Sequence, residues 1–168
     1  MEVHVRPADP ADAPAIAAIH AEGIEDGDAT FDPAPSPHPE IAARIVEGRQ
    51  PLVVAERDGQ VVGWAALWAY STRDVYDGVS ECSVYVSRAC RGAGVGARLV
   101  DEAAGAAERA GRYKLIAKIF PENRASLRLF ERKGFREVGV HRNHGQLDGR
   151  WRDVVVLERL LGPARADY

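Results

Sequence analysis

A carboxylate, an arginine and three alternating glycines fall within one short stretch of the chain. Glu81 stands in Val79-Ser80-Glu81-Cys82-Ser83-Val84-Tyr85-Val86-Ser87, whose alternation and β-branched content read as a strand. Arg91-Gly92-Ala93-Gly94-Val95-Gly96-Ala97 follows at once. Val95, Leu99, Val100, Ala103, Ala104 and Ala107 then recur at three- and four-residue steps, so a helix with one buried face starts inside the glycines. A helix start presents unpaired N–H groups and about half a positive charge, and glycine lets the main chain close on a phosphate held there. Arg91 can add a side-chain contact. The plainer reading is a strand–turn–helix junction whose glycines serve only the turn.

Two familiar phosphate sites fit poorly. A Walker loop needs Lys-Ser or Lys-Thr after its last glycine, and Ala97-Arg98 stands there instead. Gly92, Gly94 and Ala97 satisfy the dinucleotide spacing, but the next apolar strand ends in Lys118-Ile119-Phe120-Pro121, with no carboxylate for a ribose. The strand before the glycines is also half polar, unlike a central parallel strand.

Arg91-x-x-Gly94-x-Gly96, after a strand and opening a helix, resembles the coenzyme A diphosphate loop of the GNAT N-acetyltransferase superfamily. Asn123-Arg124-Ala125-Ser126-Leu127-Arg128-Leu129-Phe130-Glu131-Arg132-Lys133-Gly134-Phe135 resembles that superfamily's last helix. Two motifs in order, about 30 residues apart, are far more specific than either alone. The resemblance implies an acetyl-CoA co-substrate. Its diphosphate would lie on Arg91, Gly92, Ala93, Gly94, Val95, Gly96 and Ala97. Its pantetheine arm would run along the main chain of Val84, Tyr85 and Val86, with Asn123 and Ser126 opposite.

Within the superfamily the chain is most similar to the phosphinothricin N-acetyltransferases and their relatives acting on methionine sulfoximine, methionine sulfone and arsinothricin. Thr30-Phe31, Ser71-Thr72-Arg73-Asp74-Val75-Tyr76 and the strand from Glu81 to Ser87 carry this likeness. A tail running from His144-Gly145 to Trp151-Arg152-Asp153 adds to it, with extra residues between His and Trp. The implied reaction acetylates the α-amine of a small glutamate-like amino acid. Such an amine, of pKa about 9, is only about 1% neutral at pH 7, a deficit of roughly 2.7 kcal/mol. A base must take its proton. Glu81 is the candidate, and burial within the strand would make it a stronger base. A solvent-facing Glu81, or one paired with a neighbouring strand's arginine, is the alternative. An anionic substrate also needs a guanidinium fork. Arg73 is the candidate, against a plain solvated loop arginine. Phe31 and Tyr76 could wall the pocket or simply pack. Many family members protonate the leaving thiolate with a Tyr where Phe130 stands here. Departure is therefore unassisted, as a thiol pKa near 8.5 allows, or helped by water or Tyr85.

These groups need a scaffold. Val3 and Val5 mark a first strand, Ile16, Ile19 and Ile24 the stripe of a first helix, with Asp9 or Asp12 as its cap. Prolines at 33, 35, 37 and 39 forbid helix there, and a second helix spans about 40–47. Strands over 52–57 and 61–70 meet across Asp58-Gly59, a hairpin signal. Beyond the long helix come a strand at 115–120, a helix at 125–133 ended by Gly134, and strands at about 136–142 and 151–159 linked by 144–149. The fold class is α+β: a GNAT-like mixed, twisted central sheet flanked by helices. One N-acetyltransferase domain spans 1–168, with 162–168 as a tail.

At 168 residues and a formal charge of -3, the chain gives no electrostatic reason to expect nucleic acid or an anionic membrane as partner. Cys82 and Cys90 lack metal-ligand spacing, and His141 and His144 lack further ligands, so no metal is expected. No apolar run approaches 18 residues, which suggests a cytoplasmic protein. A homodimer is expected by analogy with relatives. Resistance to an antibiotic-like amino acid and acetylation of an ordinary metabolite would leave the same motifs. Other acceptors (a polyamine, a lysine or a protein N-terminus) remain open. So does a non-catalytic CoA sensor, which Phe130 makes conceivable and Glu81 argues against.

Overall fold

Seven strands form one mixed sheet in the order β1-β2-β3-β4-β5-β7-β6, in a computed structural model that describes residues 2–166. They are β1 (His4–Pro7), β2 (Leu52–Arg57), β3 (Gln60–Ala69), β4 (Val79–Val86), β5 (Lys114–Ile119), β6 (Arg136–Leu147) and β7 (Arg150–Leu160). Helices α1 (Ala13–Asp26), α2 (His38–Glu47), α3 (Val95–Arg109), α4 (Arg124–Arg132) and the short α5 (Gly162–Ala166) complete the described residues. The last two residues of the expected 162–168 tail lie outside them.

The two-residue side-chain period of a strand divides the core between the faces of the sheet. Val53, Ala55, Ala65 and Leu67 pack with Leu99, Val100, Ala103 and Ala107 of α3, while Leu52, Val54, Trp64 and Ala66 pack with Ile16 and Ile19 of α1 and Ile41 of α2. The apolar stripe expected of α3 is thus the buried one.

Every strand pair is antiparallel except β4 with β5. That parallel pairing is short. It joins Val79, Ser80 and Glu81 to Lys114, Leu115 and Ile116 and goes no further. From Cys82 onward β4 keeps its partner on the β3 side only, and the sheet opens into a cleft.

Three expectations about the elements need correction. Helix α2 starts at His38, so Pro39 lies in its first turn, where a missing N–H costs nothing. Strand β6 runs through the stretch expected to be a link and ends at Leu147. The turn is only Asp148-Gly149, both at positive φ (51° and 73°), the geometry of a two-residue hairpin turn. Register shifts between Glu137 and Gly139 and between His141 and Gly145 absorb the extra residues as bulges. Finally, Asp9 caps the 3-10 turn at Pro10–Asp12 through the N–H of Ala11 (2.9 Å), and Asp12 pairs with Arg6 (2.8 Å) instead of capping α1.

Candidate active site

The glycine turn delivers the chain from β4 into α3. Gly92 and Gly94 take φ of 76° and 80°, and a Cβ at either would meet nothing within 4 Å, so both glycines border open space. Gly96 has another purpose: a Cβ there would lie 3.0 Å from Leu129 Cδ2, so its absence lets α4 close on α3. The helix's first bond runs from the N–H of Arg98 to the carbonyl of Gly94 (3.3 Å), leaving the amides of Val95, Gly96 and Ala97 with no carbonyl one turn back. Arg91 is held from two sides. Its Nε donates to the Val86 carbonyl (3.0 Å) and its Nη1 lies 2.7 Å from Asp26 Oδ2. Burial opposes a charge on Asp26, but Arg91 and Arg88 outweigh it and hold the carboxyl below its usual range.

Main-chain direction along β4 decides what faces the cleft. The N–H of Ser87 donates to Val62 on the β3 side (2.9 Å). Alternation then directs Tyr85 and Ser83 the same way and leaves the main-chain groups of Val84 and Val86 toward the opening. Val84, Phe120, Asn123, Ser126 and Phe130 line the cleft together with Glu81 and Lys118. Asn123 caps α4, its Oδ1 accepting from the N–H of Ser126 (3.1 Å), which fixes the side chain. Phe130 is buried, edge-on to Phe135, and carries no ionisable proton.

Side chains of β4 alternate too. Glu81, Ser83 and Tyr85 point to the face of α1 and α2, where they line a cavity of about 560 Å³. Its other walls include His20, Thr30, Phe31, Asp32, Glu40, Arg44, Trp64 and Trp68. Glu81, Ser83 and Tyr85 border both cavity and cleft, and this row joins them. The Glu81 carboxylate is not secluded by burial as expected: the side chain is 28% exposed and 3.0 Å from Lys118 Nζ on β5. Tyr85 stacks on Trp64 (4.7 Å between centroids) and bonds to Thr30, and burial first, with a small contribution from Asp32, pushes its hydroxyl up to about 12. Phe31 stands edge-on to Phe120 (4.7 Å) and against Gly145, where a Cβ would come within 2.8 Å of its ring.

Arg73 and Tyr76 do not join this cavity. They belong to the 3-10 turn at Asp74–Tyr76, whose aromatic stacks outward: Tyr76 is edge-on to Tyr70, and Arg73 lies over the Tyr76 ring at 5.5 Å. The guanidinium in the cavity is instead Arg44, which sequence reasoning missed together with His20, Trp64, Trp68 and Ser83. A signal for Ser83 was present in its alternation with Glu81 and Tyr85. Arg44 follows the buried Ile41 by three positions on α2, which puts it on the inward face.

Both cysteines are buried and free. Burial, and secondarily Glu81, pushes Cys82 up to about 12, an inert thiol. No group of three or more His, Cys, Asp or Glu is placed to hold a metal among the described residues, where His141 and His144 merely stack at 4.5 Å. Nor is any described helix long and apolar enough to cross a membrane.

The sheet opens beside a helix-opening glycine turn, and the sequence profile of the acetyltransferase (GNAT) family matches residues 20–135. The chain belongs to that family and is an acetyltransferase. It is 36% identical to the phosphinothricin N-acetyltransferase of Alcaligenes faecalis, over 89% of this chain and 78% of that one. It is 31% identical to the L-methionine sulfoximine/L-methionine sulfone acetyltransferase of Pseudomonas paraeruginosa, over 99% of both. The crystal structure of a GNAT phosphinothricin acetyltransferase from Sinorhizobium meliloti, in complex with AcCoA, superposes with a TM-score of 0.90 at 33% identity, covering 99% of this chain and 92% of that one.

Proposed function

We propose that this chain transfers the acetyl group of acetyl-CoA to the α-amine of a small amino acid of the phosphinothricin or methionine sulfone type. The observation that carries the reading is the meeting of two spaces along the row Glu81, Ser83 and Tyr85: a cleft bordered by the β4 edge that leaves β5, and a polar-aromatic cavity. Free amides at the start of α3, with Arg91, suit a diphosphate. The open edge of β4 at Val84 and Val86 suits an extended amide-bearing arm, with Asn123 and Ser126 across from it. The acceptor enters from the cavity. Glu81 takes the amine proton as the nitrogen attacks the thioester carbonyl, an amide N–H of β4 steadies the oxyanion, and the C–S bond then breaks to release the thiolate. Phe130 has no proton to give, so the thiolate departs unassisted. Tyr85 stays protonated in the cavity wall and orders it.

A thiol-release assay tests the reading against phosphinothricin, methionine sulfoximine, methionine sulfone, glutamate and spermidine. Turnover of at least one amino acid and none of spermidine is expected; turnover of spermidine alone overturns it. Calorimetry with coenzyme A checks the cleft independently. We also propose a homodimer located in the cytoplasm, with exposed Val138 and Val140 of β6 and Trp151 of β7 in the contact.

A further inference from the structure

Arg44 is an unusual charge for its position. Its Cζ lies 3.7 Å from the centroid of the Trp68 ring, and its Nη2 donates to the Leu67 carbonyl. Burial alone pushes its guanidinium down to about 10, with no carboxylate among the described residues to compensate, although Glu40 stands one turn earlier on the same helix. A half-buried cation without a counter-charge is costly unless something anionic meets it. A guanidinium has five N–H donors in a planar fork, and among the described residues one hydrogen bond engages it, to the Leu67 carbonyl.

Its neighbour on the sheet matters as much. Trp68 of β3 is the direct cross-strand partner of Glu81 on β4. Opposed residues of an antiparallel pair stand about 5 Å apart at Cβ. Arg44 and Glu81 therefore flank one indole, both in the wall of the cavity. An α-amino acid carries amine and carboxylate on a single carbon, whereas any anionic side-chain head lies several bonds away.

We infer that Arg44 is the docking group for the acceptor's α-carboxylate, setting the α-amine beside Glu81 with Trp68 as the floor between them. This rests on the amino-acid reading above and assigns that substrate's orientation and the requirement for an α-carboxylate to one residue. It gives the anion-binding role expected of Arg73 to a residue on a different element.

The test pairs a protein change with a ligand change. Wild-type enzyme is assayed with methionine sulfone and with its decarboxylated analogue 3-(methylsulfonyl)propylamine, or with phosphinothricin and its decarboxylated amine if that is the better acceptor. A charge-assisted fork predicts kcat/KM about 10- to 100-fold lower for the amine lacking the carboxylate. In Arg44→Gln the amino acid should fall by a similar factor, mainly through KM. The decarboxylated amine should stay within about threefold, and KM for acetyl-CoA should not change. Equal loss for both acceptors makes Arg44 a structural clip between α2 and β3 and overturns the inference. Should Arg44→Gln not fold, Arg44→Lys carries the test: it should keep part of the discrimination. Wild-type enzyme that uses both acceptors equally well also overturns it, while the amino-acid reading survives. Turnover of spermidine and of no amino acid overturns both.

Discussion

His20 stands edge-on to Trp64 and Tyr85 with its Nε2 3.2 Å from Asp32 Oδ2, in the wall of the cavity beside Glu81. Burial lowers its pKa below the ordinary 6.5, and Asp32 only partly offsets this. The unfolded chain therefore takes up a proton near pH 6.5 that the folded chain refuses. Stability is complete above that pH and declines below it, by at most about 1.4 kcal/mol per pH unit, until folded His20 also titrates. Denaturant titrations between pH 7.5 and 5 should show this slope in wild type and a flatter one in His20→Gln. Glu81→Gln, a neighbour in the same wall, should lower kcat by about 10² to 10⁴ and leave the KM for acetyl-CoA unchanged, read by steady-state kinetics. A pH–rate profile identical to wild type would remove Glu81 as base. At this scale the sequence was only partly legible. The period of two along β4 reveals Glu81, Ser83 and Tyr85 as one row. His20 and Arg44 acquire meaning only when α1 and α2 pack on Trp64 and Trp68, a tertiary event without a local signature.

Strand, turn and helix around the glycines form one unit, and Gly94 holds a left-handed backbone at the start of its helix. Alanine at φ 80° is strained by about 1–2 kcal/mol, while the space around it is open. Gly94→Ala should therefore lower the unfolding free energy by about that amount, and calorimetry should find weaker coenzyme A binding as the turn relaxes away from its native dihedrals. Unchanged affinity would mean the turn does not shape the diphosphate site. This element was legible because glycine, strand alternation and helix stripe all point to one junction. Helix α2 and strand β6 were less so. Pro39 reads as a breaker unless its place in a first turn is known, and 144–149 reads as a link although β6 runs on through it to Leu147, with a bulge between His141 and Gly145. There the N–H of Asn143 donates to Asp153 of β7 (2.8 Å). Composition marks where a strand is irregular without saying whether it ends.

Across the whole molecule, Val138, Val140 and Trp151 leave apolar surface on the β6–β7 hairpin, the last two strands at one edge of the sheet. Sedimentation should find wild type at the mass of two chains and Trp151→Glu shifted toward one; a monomeric wild type at micromolar concentration defeats the dimer. Neither exposure nor strand order could be seen in the sequence, since the hairpin's alternation does not say which side another element covers. The seam between β4 and β5 has its own consequence. The strand ladder between the β1–β4 plate and the β5–β7 plate is three residue pairs long, so the sheet is one short suture short of being two. A molecule wedged along that gap would act as the missing rung of the ladder. Amide protons of Val84 and Val86 should exchange quickly with deuterium in the bare protein and slow sharply once coenzyme A lies between the plates, making the ligand part of the architecture it is used by.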